Sequence, residues 1–207
     1  MSAVLSAAAM RRITCADLRH LAAAYRPALH HAAARCAREV KLYLHWTAGH
    51  YGQFFADYHV QVDADGGIYV IGDGVLDDVL AATYLRNSGS ISAAVLGCVG
   101  ATTEQLGSEP PTAAQIESLA MATAALADGL WLSIDAEHIL THGEAADNAD
   151  GVYAHPPYGP RTTCERWDLE YLGTRESPIF NPWAEDGSRG GDVLRGKAQY
   201  YREQGGV

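Results

Sequence analysis

The chain has 207 residues, of which 48% are hydrophobic and 19% charged, so it suits one domain with its own core rather than a disordered or fibrous class. Its formal net charge of −10 excludes nucleic acid as an expected partner, because both molecules are anionic. No uncharged apolar stretch approaches the roughly 20 residues that span a bilayer, so we expect no membrane partner.

The first predicted element is a helical stretch over residues 14–40, which is rich in Ala, Leu and Arg. Thr14 and Asp17 have the S/T-x-x-acid spacing of a cap at its start. Pro27 lacks the N–H that a helix interior uses, so we expect it to divide the stretch into two helices. Residues 1–40 are therefore predicted to be a helical N-terminal extension.

Strands are predicted next. Residues 41–48 form one strand, and residues 58–70 form a hairpin with the Asp65-Gly66 pair in its tight turn. Residues 91–100 are apolar and bounded by Ser and Gly, which is typical of a buried strand. Residues 137–141 predict one more short strand.

The clearest predicted helix covers residues 112–128. Thr112 is its N-cap, and Gln115 completes a capping box three residues later. Gly129 is expected to end the helix, because glycine is favoured just after a helix C-terminus. The apolar residues on one face are Ile116, Leu119, Ala120 and Leu126.

The C-terminal part is rich in Gly, Pro and Asp, and residues 173–207 are predicted to be an irregular extension. Short helices are predicted near residues 168–172 and 194–202. Because strands and helices alternate along the chain, we expect an α/β fold with a mixed central β-sheet flanked by helices. We interpret residues 1–207 as a single catalytic domain with these two extensions.

Three side chains indicate a metal site. His45 lies toward the end of the predicted strand 41–48, His142 follows the strand 137–141, and Asp168 lies further along the chain. Strand ends in α/β folds are where ligands collect. Two imidazoles and a carboxylate with one open position are the ligand set of a catalytic zinc ion (Zn2+).

Several segments between residues 41 and 172 share their order and residue types with one enzyme family. They are His45-Trp46-Thr47-Ala48, Tyr58-His59-Val60 with Asp65-Gly66, Arg86-Asn87-Ser88-Gly89-Ser90-Ile91, Pro111-Thr112 through Gln115, and Thr141-His142-Gly143-Glu144. This pattern resembles the zinc-dependent N-acetylmuramoyl-L-alanine amidases of the type 2 group, which includes phage lysozyme-type amidases and peptidoglycan recognition proteins. The resemblance implies their fold and hydrolysis of the amide between N-acetylmuramic acid and L-alanine in peptidoglycan.

The resemblance leaves the third zinc ligand open between two residues. In the family it is Cys or Asp, commonly with a Lys two residues before it. Arg166-Trp167-Asp168 fits this pattern with Arg in place of Lys, and we favour Asp168. Cys164 is the rival, although no Pro follows it and Thr162 stands where the Lys would be. If Asp168 is not a ligand, we interpret it as an acid at the start of a helix. If Cys164 is not a ligand, we interpret it as a small buried residue.

The resemblance also implies roles beside the metal. Tyr58 matches an active-site tyrosine whose hydroxyl faces the reacting water or the substrate oxyanion. Arg166 cannot act as a base, because its pKa exceeds about 12, but it can stabilise the oxyanion. Glu144 is interpreted as a capping or supporting acid rather than the catalytic base.

Location and partners follow from the implied substrate. A signal peptide has basic residues before its apolar stretch, whereas Arg11 and Arg12 come after the apolar residues 3–10. We therefore expect synthesis in the cytoplasm and action on periplasmic or cell-wall peptidoglycan after release or non-Sec delivery, as for a phage endolysin or a secreted antibacterial effector. The expected partners are peptidoglycan or muropeptides and, for an effector, an immunity or inhibitor protein; we expect a monomer.

Other functions stay open at this stage. A recognition module would bind peptidoglycan without cutting it and would lack a zinc ligand. A zinc peptidase would cut the stem peptide, although the chain has no H-E-x-x-H motif. A structural protein would use the helix 112–128 as an interface, but no exposed apolar stripe requires this.

Overall fold

The computed structural model describes residues 3–153, 156–157 and 167–205 of the chain. Its strands are β1 (Val4–Leu5), β2 (Met10–Ile13), β3 (Lys41–Trp46), β4 (Phe54–Phe55), β5 (Val60–Val62), β6 (Ile68–Ile71), β7 (Ser90–Val95) and β8 (Ile139–Thr141). Its α-helices are α1 (Cys15–Arg35), α2 (Ala113–Leu130), α3 (His142–Ala146) and α4 (Gly190–Glu203). None of these helices is both long enough and apolar enough to cross a membrane.

The central sheet has six strands in the order β2-β6-β5-β7-β3-β8. β6 is antiparallel to both β2 and β5, whereas β5, β7, β3 and β8 are mutually parallel. β1 and β4 form a separate antiparallel pair. The predicted α/β fold with a mixed central sheet flanked by helices is therefore confirmed.

The two faces of the sheet differ in what covers them. Leu42, Leu44 and Trp46 of β3 lie in the main hydrophobic core, to which α1 and α2 contribute. Successive side chains of a strand point to opposite faces, so Tyr43 and His45 lie on the other face. All six residues of β3 are buried, as expected for a strand covered on both sides. His45 thus reaches the carboxyl end of the sheet away from α1 and α2.

The expectation that Pro27 divides the first helix is wrong. The Thr14–Asp17 capping box is present, but α1 continues through Pro27 to Arg35. Pro27 lies on the exposed side, where water can solvate the carbonyl that loses its N–H partner. The buried residues lie on both sides of the proline along one helix face; they are Leu18, Ala22, Leu29 and Ala33. Their packing in the core keeps the two halves continuous.

The start of α2 was predicted correctly, but its end was not. Thr112 and Gln115 form the capping box, and the buried Gln115 amide also donates to carbonyl oxygens of Val62 and Leu96 at 3.0 and 2.6 Å. The helix runs past Gly129 and ends with Trp131 in the left-handed region, at φ 61°. A Cβ at Gly129 would lie 2.5 Å from the Arg19 carbonyl oxygen. Gly129 is required for the close approach of α1 and α2, not for termination.

Both ends of the chain differ in part from what the sequence pattern predicts. β2 joins the edge of the central sheet by pairing with β6. The short helix predicted near residues 168–172 is absent, and these residues form a turn with Leu169 at φ 59°. α4 begins at Gly190, earlier than predicted, and packs on α2 and β8.

Candidate metal centre

The fold brings His45, His142 and Asp168 together at the carboxyl end of the parallel strands. His45 lies near the end of β3, and His142 directly follows β8, its hydrogen-bonded neighbour. Nδ1 of His45 is 3.1 Å from Nδ1 of His142 and 3.1 Å from Oδ2 of Asp168. Nδ1 of His142 is 3.2 Å from the same oxygen. The three side chains are buried, and one ligand atom from each lies within 4.8 Å of the others.

The arrangement of these atoms fits a cation between them. Zinc–nitrogen distances of about 2.0–2.1 Å place neighbouring tetrahedral ligands about 3.3 Å apart, close to the separations of 3.1–3.2 Å found here. Oδ1 of Asp168 is buried and accepts no hydrogen bond, although Nδ1 of His142 lies 3.1 Å away. A buried carboxylate oxygen without a donor is costly unless a cation satisfies it. Among the described residues, this is the cluster suited to a metal ion.

The electrostatics of the cluster favour an ionised Asp168. Burial by itself favours the neutral acid, but His142 and His45 outweigh it and lower the pKa of Asp168 well below its usual range. Burial and the Asp168 charge together raise the pKa of the Cys98 thiol to about 12. Cys98 is therefore a neutral thiol at physiological pH rather than a competing thiolate ligand.

His142 is positioned by a local motif. Thr141 is the N-cap of α3, its hydroxyl accepts from the Glu144 N–H at 3.1 Å, and the Glu144 carboxylate accepts from the Thr141 N–H at 2.9 Å. This capping box sets His142 as the first residue of the helix. Glu144 is thus a capping acid, as expected. Its carboxylate is engaged by the Thr141 N–H, which does not suit a catalytic base.

Thr83 contacts one of the three candidate ligands and was not identified from the sequence. Its hydroxyl lies 3.1 Å from Nε2 of His45, and its side chain is buried. The Thr83 N–H donates to Oδ1 of Asn87 at 2.8 Å, which fixes the loop at this point. Asn87 belongs to the segment of residues 86–91 that resembles the amidase family. No sequence pattern indicated Thr83, because its contact with His45 spans 38 residues.

A buried ion pair anchors the loop that carries Thr83. The guanidinium of Arg86 donates to both carboxylate oxygens of Asp150, at 2.6 and 3.2 Å, and to the carbonyl oxygen of Val152 at 2.7 Å. The Tyr43 hydroxyl donates to the same carboxylate at 2.7 Å. Both ionic side chains are fully buried. The loop preceding β7 and the residues after α3 are therefore held together beside the site.

The other predicted site residues divide into one that the structure describes and two that it does not. Tyr58 is half-buried, its ring centroid lies 5.3 Å from that of His45, and its hydroxyl lies 3.4 Å from the Trp46 carbonyl oxygen. It thus stands beside the cluster without belonging to the ligand set. Arg166 and Cys164 lie outside the described residues.

Comparisons with known proteins identify the family of this chain. The family model described as N-acetylmuramoyl-L-alanine amidase matches residues 17–166, more than two thirds of the 207 residues. The match contains His45, Tyr58 and His142 and ends two residues before Asp168. No match was found among curated proteins. A solved structure, the endolysin N-acetylmuramoyl-L-alanine amidase LysCS from Clostridium intestinale URNW, is similar at 15% identity and a TM-score of 0.37, over 56% of this chain and 71% of that one. The chain belongs to the N-acetylmuramoyl-L-alanine amidase family.

Proposed function

We propose that this amidase is zinc-dependent and hydrolyses the lactyl amide between N-acetylmuramic acid and L-alanine in peptidoglycan. The observation that supports zinc is the buried cluster of His45, His142 and Asp168, in which Oδ1 of Asp168 accepts no hydrogen bond. A zinc ion in this cluster would supply a Lewis acid that polarises the amide carbonyl and activates water. Two neutral imidazoles and one carboxylate would leave the centre at net +1, which suits an anionic transition state.

The side chains around the cluster have separate tasks in this mechanism. Thr83 accepts the Nε2–H of His45, so the lone pair of Nδ1 faces the metal position. Tyr58 lies beside His45 and donates its hydroxyl hydrogen to the oxyanion that develops on the substrate carbonyl. We assign Arg166 to the electrostatic stabilisation of the same oxyanion, and this role rests on the family pattern alone. As the amide bond breaks, the lactyl carbonyl carbon keeps the oxygen of the attacking water, and a proton from that water goes to the leaving amine of L-alanine.

The rival functions are less well supported by the same residues. A recognition module that binds without cutting would not need three candidate ligands converging in a buried cluster. A stem-peptide peptidase would share the zinc chemistry and differ in the bond that is cut, so product analysis separates it. The partner in either case is peptidoglycan or a muropeptide.

The biological setting is proposed with the activity. We assign the enzyme to cell-wall lysis, as an endolysin or as a secreted antibacterial effector with an immunity protein, acting as a monomer. We treat the chain as a single catalytic domain. Pairing of β2 with β6 and packing of α4 on α2 support including both terminal extensions in it.

Digestion of purified sacculi tests this proposal. The protein should bind about one zinc per chain and release peptides that begin with L-alanine, without new reducing sugar ends, and a chelator should stop the release. His142→Ala is the matched control and should lose both metal and activity. Tight binding of sacculi by the zinc-loaded protein without release of amino termini would favour the recognition module. Peptides that begin with another stem residue would favour the peptidase.

A further inference from the structure

The C-terminal helix α4 contacts the two chain segments that carry His142 and Asp168. It lies at Gly190–Glu203, beyond the residues 17–166 that match the family model. His142 is the first residue of the short helix α3 and Asp168 lies in a turn, whereas His45 is held inside strand β3. Contacts outside the sheet therefore contribute to the separation of His142 and Asp168.

The first contact is between α4 and the helix that begins at His142. The Arg195 guanidinium donates to both carboxylate oxygens of Glu144 at 2.8 Å, and it also donates to the Ile139 carbonyl oxygen at 2.9 Å. Glu144 and Arg195 are both buried. A Cβ at Gly191 would overlap the Glu144 carboxylate. α4 thus holds the capping acid that sets His142 in place.

The second contact is between α4 and the turn that carries Asp168. The Gly190 N–H donates to the Glu170 carbonyl oxygen at 2.9 Å, and the Arg189 guanidinium binds the fully buried Glu170 carboxylate, with one oxygen at 3.0 Å. A Cβ at Gly190 would overlap the carbonyl oxygen of Leu169. Leu169 has a φ of 59°, a conformation that a branched side chain adopts only when its surroundings impose it.

The two segments that carry His142 and Asp168 also contact each other directly. The Gly143 N–H donates to the Asp168 carbonyl oxygen at 3.2 Å. A Cβ at Gly143 would lie 3.0 Å from Cδ of Glu170. His142 and Asp168 are therefore each followed two residues later by a buried glutamate, and each glutamate pairs with one arginine, either Arg195 of α4 or Arg189, the residue that precedes α4. The pattern repeats in both segments although His142 and Asp168 are 26 residues apart in sequence.

We propose that α4 and its N-cap residue Arg189 are a positioning element of the metal centre, in which Arg189 and Arg195 set the separation between Asp168 and His142. The inference rests on the proposed zinc site. In this role α4 supplies no metal ligand and acts through Glu170 and Glu144. The helix is thus part of the ligand scaffold rather than a C-terminal appendage.

Zinc affinity of the full-length chain tests the proposal, measured by competition with a chromogenic chelator. Arg189→Met, Arg195→Met and Gly190→Ala should each weaken zinc binding about tenfold or more, within the range typical of residues that support metal ligands. Lys197→Met is a matched control, because Lys197 pairs with Glu117 of α2 from the same helix. Gly196→Ala is a second control, because a Cβ there meets open space. Both controls should bind zinc like the unmodified chain.

A positioning role predicts a further result that general destabilisation does not. The metal-free Arg189→Met protein should unfold cooperatively, and its hydrogen exchange should increase at residues 168–172 more than in the central sheet. Arg189→Lys keeps the charge and should recover part of the zinc affinity. If Gly190→Ala does not fold, the two arginine variants decide the question.

Three outcomes would overturn either the role of α4 or the metal centre itself. Unchanged zinc affinity in folded Arg189→Met and Arg195→Met proteins would refute the role of α4 while leaving the zinc site intact. Equal losses in these variants and in Lys197→Met would show that only general stability is affected. Failure of the unmodified chain to bind zinc would instead refute the proposed metal centre.

Discussion

Replacing Thr83 by valine should weaken zinc binding without changing any proposed ligand. When Nδ1 of His45 binds a metal, Nε2 carries the proton and needs an acceptor, and the Thr83 hydroxyl lies 3.1 Å away. Both side chains are buried, so water cannot easily replace that hydroxyl. Valine has nearly the shape of threonine and replaces its hydroxyl with a methyl group, which cannot accept a hydrogen bond.

The size of the effect follows from this geometry. A buried donor left without an acceptor costs about 1–3 kcal/mol. Without zinc the imidazole can move its proton to Nδ1, beside Oδ2 of Asp168 at 3.1 Å, so the cost falls mainly on the zinc-bound state. We therefore expect zinc affinity to fall by about 5- to 160-fold, because each 1.36 kcal/mol corresponds to a factor of about ten.

The assay is chelator competition on the metal-free protein, with Thr83→Ser as the matched control. Serine keeps the hydroxyl and should retain most of the zinc affinity. Denaturant unfolding of both metal-free variants checks that each is folded. Equal zinc affinities for the valine and serine variants would refute the reasoning and return Thr83 to a packing role.

Further substitutions test the remaining assignments. Asp168→Ala should lose zinc while Cys164→Ser keeps it, and metal analysis giving the reverse would identify Cys164 as the third ligand. Tyr58→Phe should retain zinc but slow peptide release about a hundredfold or more, because one oxyanion donor is lost; an unchanged rate would leave it as a packing residue. Asp150→Asn should lower the free energy of unfolding by about 3–5 kcal/mol at neutral pH, since Arg86 would stay buried without its counter-ion. Burial favours neutral Asp150, but Arg86 outweighs it and lowers the pKa of Asp150. The stabilisation by this ion pair is therefore present above a pH of about 4 and is lost on acidification. In urea titrations, the free energy of unfolding of the variant should fall less between neutral and acidic pH than that of the unmodified chain.

Local patterns in the sequence determined most of the secondary structure and the candidate ligands. The capping boxes at Thr14 and Thr112 and the hairpin over residues 58–70 were predicted correctly, because each depends on residues a few positions apart. The candidate ligands were named from their positions at predicted strand ends and from the family motifs. The parallel pairing of β3 with β8 then brings the strand ends to one edge.

Only the tertiary structure decided the features that depend on distant partners. Pro27 stays inside a continuous helix and Gly129 lies inside another, because packing between α1 and α2 outweighs local preference. Thr83 meets His45 across 38 residues, and Arg195 meets Glu144 across 51 residues. No periodicity or spacing encodes such pairs, since the energies that select them arise from burial and ion pairing that exist only once the chain has folded.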